Sequence, residues 1–422
     1  MTLQLIISTA FASSGETEDF SMGTMLWGLA LVGFVYLTAH FVVDRLQRRY
    51  LFSSGAEYIA LGMGLSYLAV FRNSSTYLPA ITFAIGWIGL MFGMNLPLRQ
   101  LFQNGAVMRL ALTEFIFVGL GMTALHSALL YSFVEADLSI SLTCGGVLGA
   151  ASLATSSSAI AVIRQRFPSL KAHLLTSLEQ GSKINNGFAI VLCSIFLCMH
   201  QRQQIFSSFY EHAPLQGGGI ILLCTILFGL LLATIYSFFL IENDSENSRF
   251  LAITGIVCFA AGGAFYMQSP VLLLMMSLGY GLSKTKHKDN IVPMMEGSKK
   301  PILLILLILA GVQIQNVSFG ITSLLFLAFI ISRFLLKALS SWLSSYGSSI
   351  RGDLFRGNLA QGEISLSIAL SFYVIDGQIA DTAYVIAIAS VAVHEIISAR
   401  WLRDLLIDIG EIRDDISIIQ EG

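Results

Sequence analysis

The stretch LEQGSKINNGFAIVL, residues 178–192, puts a glutamate, a lysine and two asparagines into an otherwise apolar segment. Read as a helix, it carries Glu179, Lys183 and Asn186 at i, i+4 and i+7, on one face. Glu179 and Lys183 are spaced for an ion pair, with the acid in the favourable N-terminal place. Asn185 and Asn186 lie one or two turns deeper. Their amide oxygens suit a cation, but an amide cannot carry a proton. A structural reading competes at each position. Glu179 and Lys183 would snorkel at a membrane interface, and Asn186 would make a helix–helix hydrogen bond.

The surrounding chain makes that segment a membrane one. Hydrophobic residues are 55% of the sequence, charged residues 12%, and mean hydropathy is +0.75. A soluble domain carries about 25% charged residues. Apolar runs of about 20 residues recur, the length that crosses a bilayer as a helix. Two-residue alternation is missing, which argues against a β-barrel. The expectation is an all-α polytopic membrane protein of about thirteen spans: 22–43, 54–71, 79–95, 107–132, 140–163, 176–199, 217–241, 249–267, 270–283, 300–315, 318–343, 357–375 and 382–401.

Loop charges set the expected orientation. With the N-terminus outside, Arg45, Arg48, Arg49, Arg99, Arg164, Arg166, Lys171, Arg249, Lys284, Lys286, Lys288, Lys299, Lys300, Arg351 and Arg356 all fall inside. Only Arg72 and Arg202 fall outside, and an odd number of spans puts the C-terminus inside. Residues 1–403 then form the transmembrane domain. Residues 404–422 form a short acidic cytoplasmic tail, too small for a folded nucleotide-binding domain. The first twenty residues read as an N-terminal extension without the basic start of a signal peptide. The net charge is −2, and no basic tract points to nucleic acid. Cys144, Cys193, Cys198, Cys224 and Cys258 sit in apolar segments without metal-like spacing and read as small buried residues.

Two spans look interrupted. In CGGVLGAASLATSSSAIAVI (144–163) three glycines precede Thr155, Ser156, Ser157 and Ser158. Hydroxyl side chains bond backbone groups freed by a helix break. In RGNLAQGEISLSIALSF (356–372) Gly357, Asn358, Gln361 and Gly362 surround Glu363. The two lie seven spans apart, so they run in opposite directions, as inverted repeats with crossing broken helices require.

Ionisable residues inside spans are costly unless paired, so they are functional candidates. They are Glu114, His126, Glu179, Lys183, Arg333, Lys337, Glu363, His394 and Glu395. Glu363, in mid-span beside glycines, is the leading titratable group. Arg333 and Lys337, spaced i, i+4, are its expected partners. Glu114, in LALTEFIFVGLG, is a second candidate, with an interhelical hydrogen bond as its structural alternative. His394–Glu395 reads as structural and His126 as near the outer face.

Four stretches together resemble the monovalent cation:proton antiporter superfamily, in its sodium/proton exchanger and potassium efflux branch. ATSSSAIAVI (154–163) resembles the unwound motif of its first broken helix. LEQGSKINNGFAIVL resembles its ion-binding helix. NLAQGEISLSIAL (358–370) resembles its second broken helix, and ISRFLLKALSSWL (331–343) the basic helix facing the ion site. Their order and spacing agree along nearly the whole chain. The resemblance implies a dimerisation bundle, a mobile core bundle and a homodimer in a cell membrane, most simply a bacterial inner membrane, without a cofactor. The substrates would be sodium or potassium and a proton. The implied ion site is Thr155, Ser156, Ser157, Asn185, Asn186 and Glu363, with Glu179, Lys183, Arg333, Lys337 and Glu114 as proton or charge partners.

One departure stands out. The family's ion-binding aspartate falls on Asn186. Three readings follow. A titratable group has moved, to Glu363 or Glu179 beside Asn186. Lys183 serves as a tethered cation. Or the fold no longer antiports and serves as a channel-like, solute-binding or scaffold subunit of a larger membrane complex. An enzyme is the remotest reading, since no nucleophile–base set stands out.

Overall fold

The protein is described here by a computed structural model covering residues 22–49, 55–71, 74–96, 104–134, 136–156, 160, 173–200, 214–239, 246–285, 288–314, 319–346 and 351–410. The described residues are helical or irregular. In chain order the helices are α1 (Met22–Arg49), α2 (Ala56–Leu65), α3 (Leu78–Met94), α4 (Gly105–Glu114), α5 (Gly121–Phe133), α6 (Leu138–Leu153), α7 (His173–His200) and α8 (Pro214–Phe239). Then come α9 (Glu246–Tyr266), α10 (Val271–Leu282), α11 (Lys288–Val312), α12 (Phe319–Ser345), α13 (Glu363–Ile375) and α14 (Gly377–Asp408). The π-helical segment Phe115–Leu120 joins α4 to α5 into one continuous rod, so each expected span has a helical counterpart. Among the described residues, six stretches are long and apolar enough to cross a membrane by length and composition: Gly105–Phe133, Leu174–His200, Gly217–Phe238, Ser248–Tyr266, Gly320–Ser345 and Asp381–Asp408. Helix α14 runs on through Asp404 to Asp408, past the expected start of the tail.

The outer faces confirm the solvent. On α8, Leu223, Leu227 and Leu231 recur every four residues and are each more than half exposed. On α1, Trp27, Phe34 and Phe41 are likewise exposed. Rows of this kind are stable against acyl chains and not against water. Cys224 and Cys258 lie on such faces and are exposed, a correction to their expected burial; Cys144, Cys193 and Cys198 are buried, and none of the five forms a disulfide. Helical periodicity places a residue on a face but does not say whether protein or lipid covers it.

Packing divides the helices into two groups. In one, α2 packs on α11, and α3 on α10 and α9, while α8 packs on α10. Small residues permit the closest approaches: a Cβ on Gly62 of α2 would fall 2.0 Å from Ile308 O of α11, and one on Gly311 2.1 Å from Ile59 O. Lipid supplies no hydrophobic drive between helices, so this close van der Waals contact does the holding. The other group contains α4 to α7 and α12 to α14. Here α6 packs on α5, α7 and α13, α12 on α4, and α14 on α12 and α13. Contacts of α13 with α3 and of α7 with α8 join the two groups.

Candidate functional site

Helix α6 stops at Leu153, and the backbone at Ala154 turns extended, φ −58° and ψ 136°. Helix α13 starts only at Glu363, after a 3-10 turn over Leu354–Gly357 and a non-helical passage at 358–362. The two breaks meet, and Ser156 N–H donates to Ala360 O at 2.9 Å. Glycine is required at the crossing, because a Cβ on Gly362 would lie 2.5 Å from Ser156 Oγ. The expected interruption of both spans is present, within the described residues. Ser157 and Ser158 lie outside them.

A broken helix in a membrane must satisfy its freed backbone groups from neighbours. Side chains do this here. Asn186 Oδ1 accepts the Thr155 N–H at 2.9 Å, and Ser182 Oγ donates to Thr155 O at 2.6 Å. Arg333 Nε donates to Ser152 O at 2.9 Å, and its Nη1 to Leu359 O at 2.8 Å. Gln361 Nε2 and Ser365 Oγ both donate to Ala151 O at 2.8 Å, and Ser390 Oγ donates to Gln361 Oε1 at 2.6 Å. The guanidinium thus sits at the C-terminal end of α6, where the helix dipole favours a cation. Asn186 and Arg333, both expected at the ion site, hold the two breaks in shape.

The charge at the crossing comes from elsewhere. Glu114, the last residue of α4, is fully buried and pairs with Lys337 of α12, also fully buried, at 2.8 Å. Lys337 Nζ also donates to Thr155 Oγ1 at 3.1 Å. Asn185 Nδ2 makes a very short hydrogen bond to Glu114 Oε2, and Asn358 Nδ2 donates to Glu114 Oε1 at 3.3 Å. One carboxylate therefore receives an ammonium and two amides from three separate elements. The π-helical turn begins at the next residue, Phe115. Such an insertion re-aims side chains and recurs at functional positions.

Glu363 is not where the sequence suggested. It is the first residue of α13 rather than a mid-span group, and its partner is Lys299 of α11 at 2.6 Å. Its expected partners are corrected: Arg333 bonds backbone carbonyls and Lys337 bonds Glu114. The reason is direction. At the N-terminus of α13 the side chain reaches Lys299 of α11, in the other helix group. Glu179 and Lys183 form the expected ion pair at 3.0 Å, with side chains 29% and 32% exposed, so they lie at the rim rather than in the cluster. His394 is buried and bonds Ser390 O at 2.8 Å; His126 is also buried, its Nδ1 3.1 Å from Met122 O.

Sequence reasoning missed Asn358 and Lys299 as members of the site. Asn358 opens the NLAQGE stretch, and its place at the very start of the break was the available signal. Lys299 read as one more loop charge in GSKKP. It lies within α11, whose proline-containing first turns extend before the expected span.

The fold is similar to that of the sodium proton antiporter MjNhaP1 from Methanocaldococcus jannaschii, solved at pH 8, with a TM-score of 0.62, covering 91% of this chain and 98% of that one. At 16% identity the likeness establishes the fold alone. No curated protein matches the sequence. The family described as sodium/hydrogen exchanger, transmembrane, matches residues 33–404, most of the chain. With its multi-pass helical architecture and its paired helix breaks, this chain belongs to the sodium/hydrogen exchanger family, a family of membrane transporters and not of enzymes.

Proposed function

We propose that the protein is a monovalent cation:proton antiporter, with sodium as the first-choice cation and potassium as the alternative, in which Glu114 is the exchanging carboxylate. The observation that carries this is the fully buried Glu114–Lys337 pair beside the helix crossing. An aspartate at position 186 would let one carboxylate alternate between proton and cation. Asn186 cannot do so, and Glu114 provides the missing chemistry within hydrogen-bond reach of the same helix. In one state Glu114 is charged and neutralised by Lys337 or a metal cation. In the other it is protonated. An isolated charge at that depth is too costly, so cation and proton exclude each other.

The group carrying the crossing (α4–α7, α12–α14) would move as a body against α2, α3, α10 and α11, giving alternating access from an N-outside, C-inside arrangement with inverted repeats. The Lys299–Glu363 pair, which bridges the groups, would form in one position and break in the other. The homodimer and the bacterial inner membrane belong to the same reading.

The test is purified protein in liposomes with a luminal pH dye. Applied sodium or potassium gradients should change luminal pH, and Glu114→Gln should abolish the change. A flat trace with every monovalent cation overturns antiport. It would favour a degenerate transporter fold that works as a subunit, the reading drawn from the Asn185–Asn186 pair.

A further inference from the structure

Around Glu114, two amides point their nitrogens at the carboxylate and leave their oxygens idle. Asn185 Oδ1 and Asn358 Oδ1 are buried with no hydrogen-bond partner, on side chains that are 0% exposed. An orphaned buried acceptor is costly, and two of them beside one carboxylate call for an explanation. Asn186, by contrast, has spent its oxygen on the Thr155 N–H.

A half-turn about the terminal torsion of an asparagine exchanges its nitrogen and its oxygen without moving the rest of the side chain. Made at Asn185 and Asn358, that half-turn would bring both orphaned oxygens next to the Glu114 carboxylate. Thr155 Oγ1 is already on the same side, sharing the Lys337 ammonium with Glu114. The ammonium thus stands where an oxygen-seeking cation would stand.

We propose that Glu114 Oε1 and Oε2, Asn185 Oδ1, Asn358 Oδ1 and Thr155 Oγ1 form a dehydrated monovalent-cation site, reached by rotation of the two amides, with Asn358 as its selectivity-determining ligand. With no metal bound, the amides donate to the charged carboxylate and Lys337 balances it. With a cation bound, the amides turn to become ligands and Lys337 withdraws from Glu114. A single carboxylate with neutral oxygens gives the set one negative charge, which matches a monovalent ion rather than a divalent one. The site is one residue and one helix away from Asn186, and Asn358 brings the second broken segment into it. This deepens the antiport reading and rests on Glu114 being its carboxylate.

The experiment reads binding without proton flux. The full chain in detergent is melted in rising sodium, lithium or potassium chloride, with choline chloride holding ionic strength constant. A bound cation raises the melting temperature in proportion to the logarithm of its concentration. The wild type should respond to at least one of the three ions. Asn358→Ala and Asn185→Ala should each weaken the apparent affinity roughly 10-fold or more, the worth of a lost charge-assisted contact. Asn358→Asp, which keeps the shape and adds charge, should tighten it and change the order of preference among the three ions; this variant decides the matter if the alanine variants do not fold. No ion-specific response in the wild type overturns the site. So does a response that Asn358→Ala or Asn358→Asp leaves unchanged. Ion binding that depends on Asn358 without any proton flux in liposomes would retain the site and sink antiport. Flux that depends on Glu114 but not on Asn358 would do the reverse.

Discussion

The Ser156 N–H donates to Ala360 O at 2.9 Å, so the two broken helices touch backbone to backbone. With Ser156 in place, residue 362 has no room for a side chain, since a Cβ there would lie 2.5 Å from Ser156 Oγ. Gly362→Ala should destabilise the protein by about 1–3 kcal/mol, the usual cost of overpacking a closed site, and should slow transport. Adding Ser156→Gly to Gly362→Ala removes the opposing atoms and should recover most of the melting temperature. A double variant no better than the single would show that the loss comes from elsewhere.

Glu114 and Lys337 are each 0% exposed, so removing one strands the other's charge. Lys337→Met and Glu114→Gln should each cost about 3–5 kcal/mol alone, whereas the uncharged double variant Glu114→Gln with Lys337→Met should be far closer to wild type. Melting of the four proteins as a double-mutant cycle checks this, and a coupling near zero would refute the pair. Flux should be lost in all three variants.

Asn186 accepts from Thr155 N at 2.9 Å in a place that is almost fully buried. Asn186→Ala leaves that N–H without a partner and should cost about 1–3 kcal/mol. Asn186→Asp keeps an acceptor there and should fold as well as wild type. It also places a carboxylate at the break, where the family resemblance implies one, and should raise cation-dependent proton flux. Equal flux in Asn186→Asp and wild type would show that position 186 serves only the break.

Lys299 and Glu363 are 41% and 28% exposed at their side chains, so their pair adds little to stability, about 0–1 kcal/mol. Its expected effect is on rate, because it ties α11 to α13 across the boundary between the helix groups. Glu363→Gln should leave proton coupling intact while changing turnover, and the swapped pair Lys299→Glu with Glu363→Lys should restore the wild-type rate. Complete loss of cation-dependent pH change in Glu363→Gln would move the exchanging carboxylate from Glu114 to Glu363.

Local pattern was sufficient for a good part of this protein. Apolar runs located the spans, because a bilayer demands a fixed length of helix. Small, hydroxyl and glycine residues marked both breaks, because a freed backbone needs close partners. The Glu179–Lys183 pair was legible because i, i+4 neighbours meet on any helix, and they do so at 3.0 Å. The centre of the site was not legible in this way. Glu114 and Lys337 are 223 residues apart, and no periodicity tells which of several buried acids a buried base will meet. Asn185 and Asn186 differ by one step around α7, yet one faces Glu114 and the other the Thr155 backbone. The sequence by itself determined which residues are polar inside the membrane. Only the tertiary structure decided which of them share a charge, because that depends on how separate helices cross.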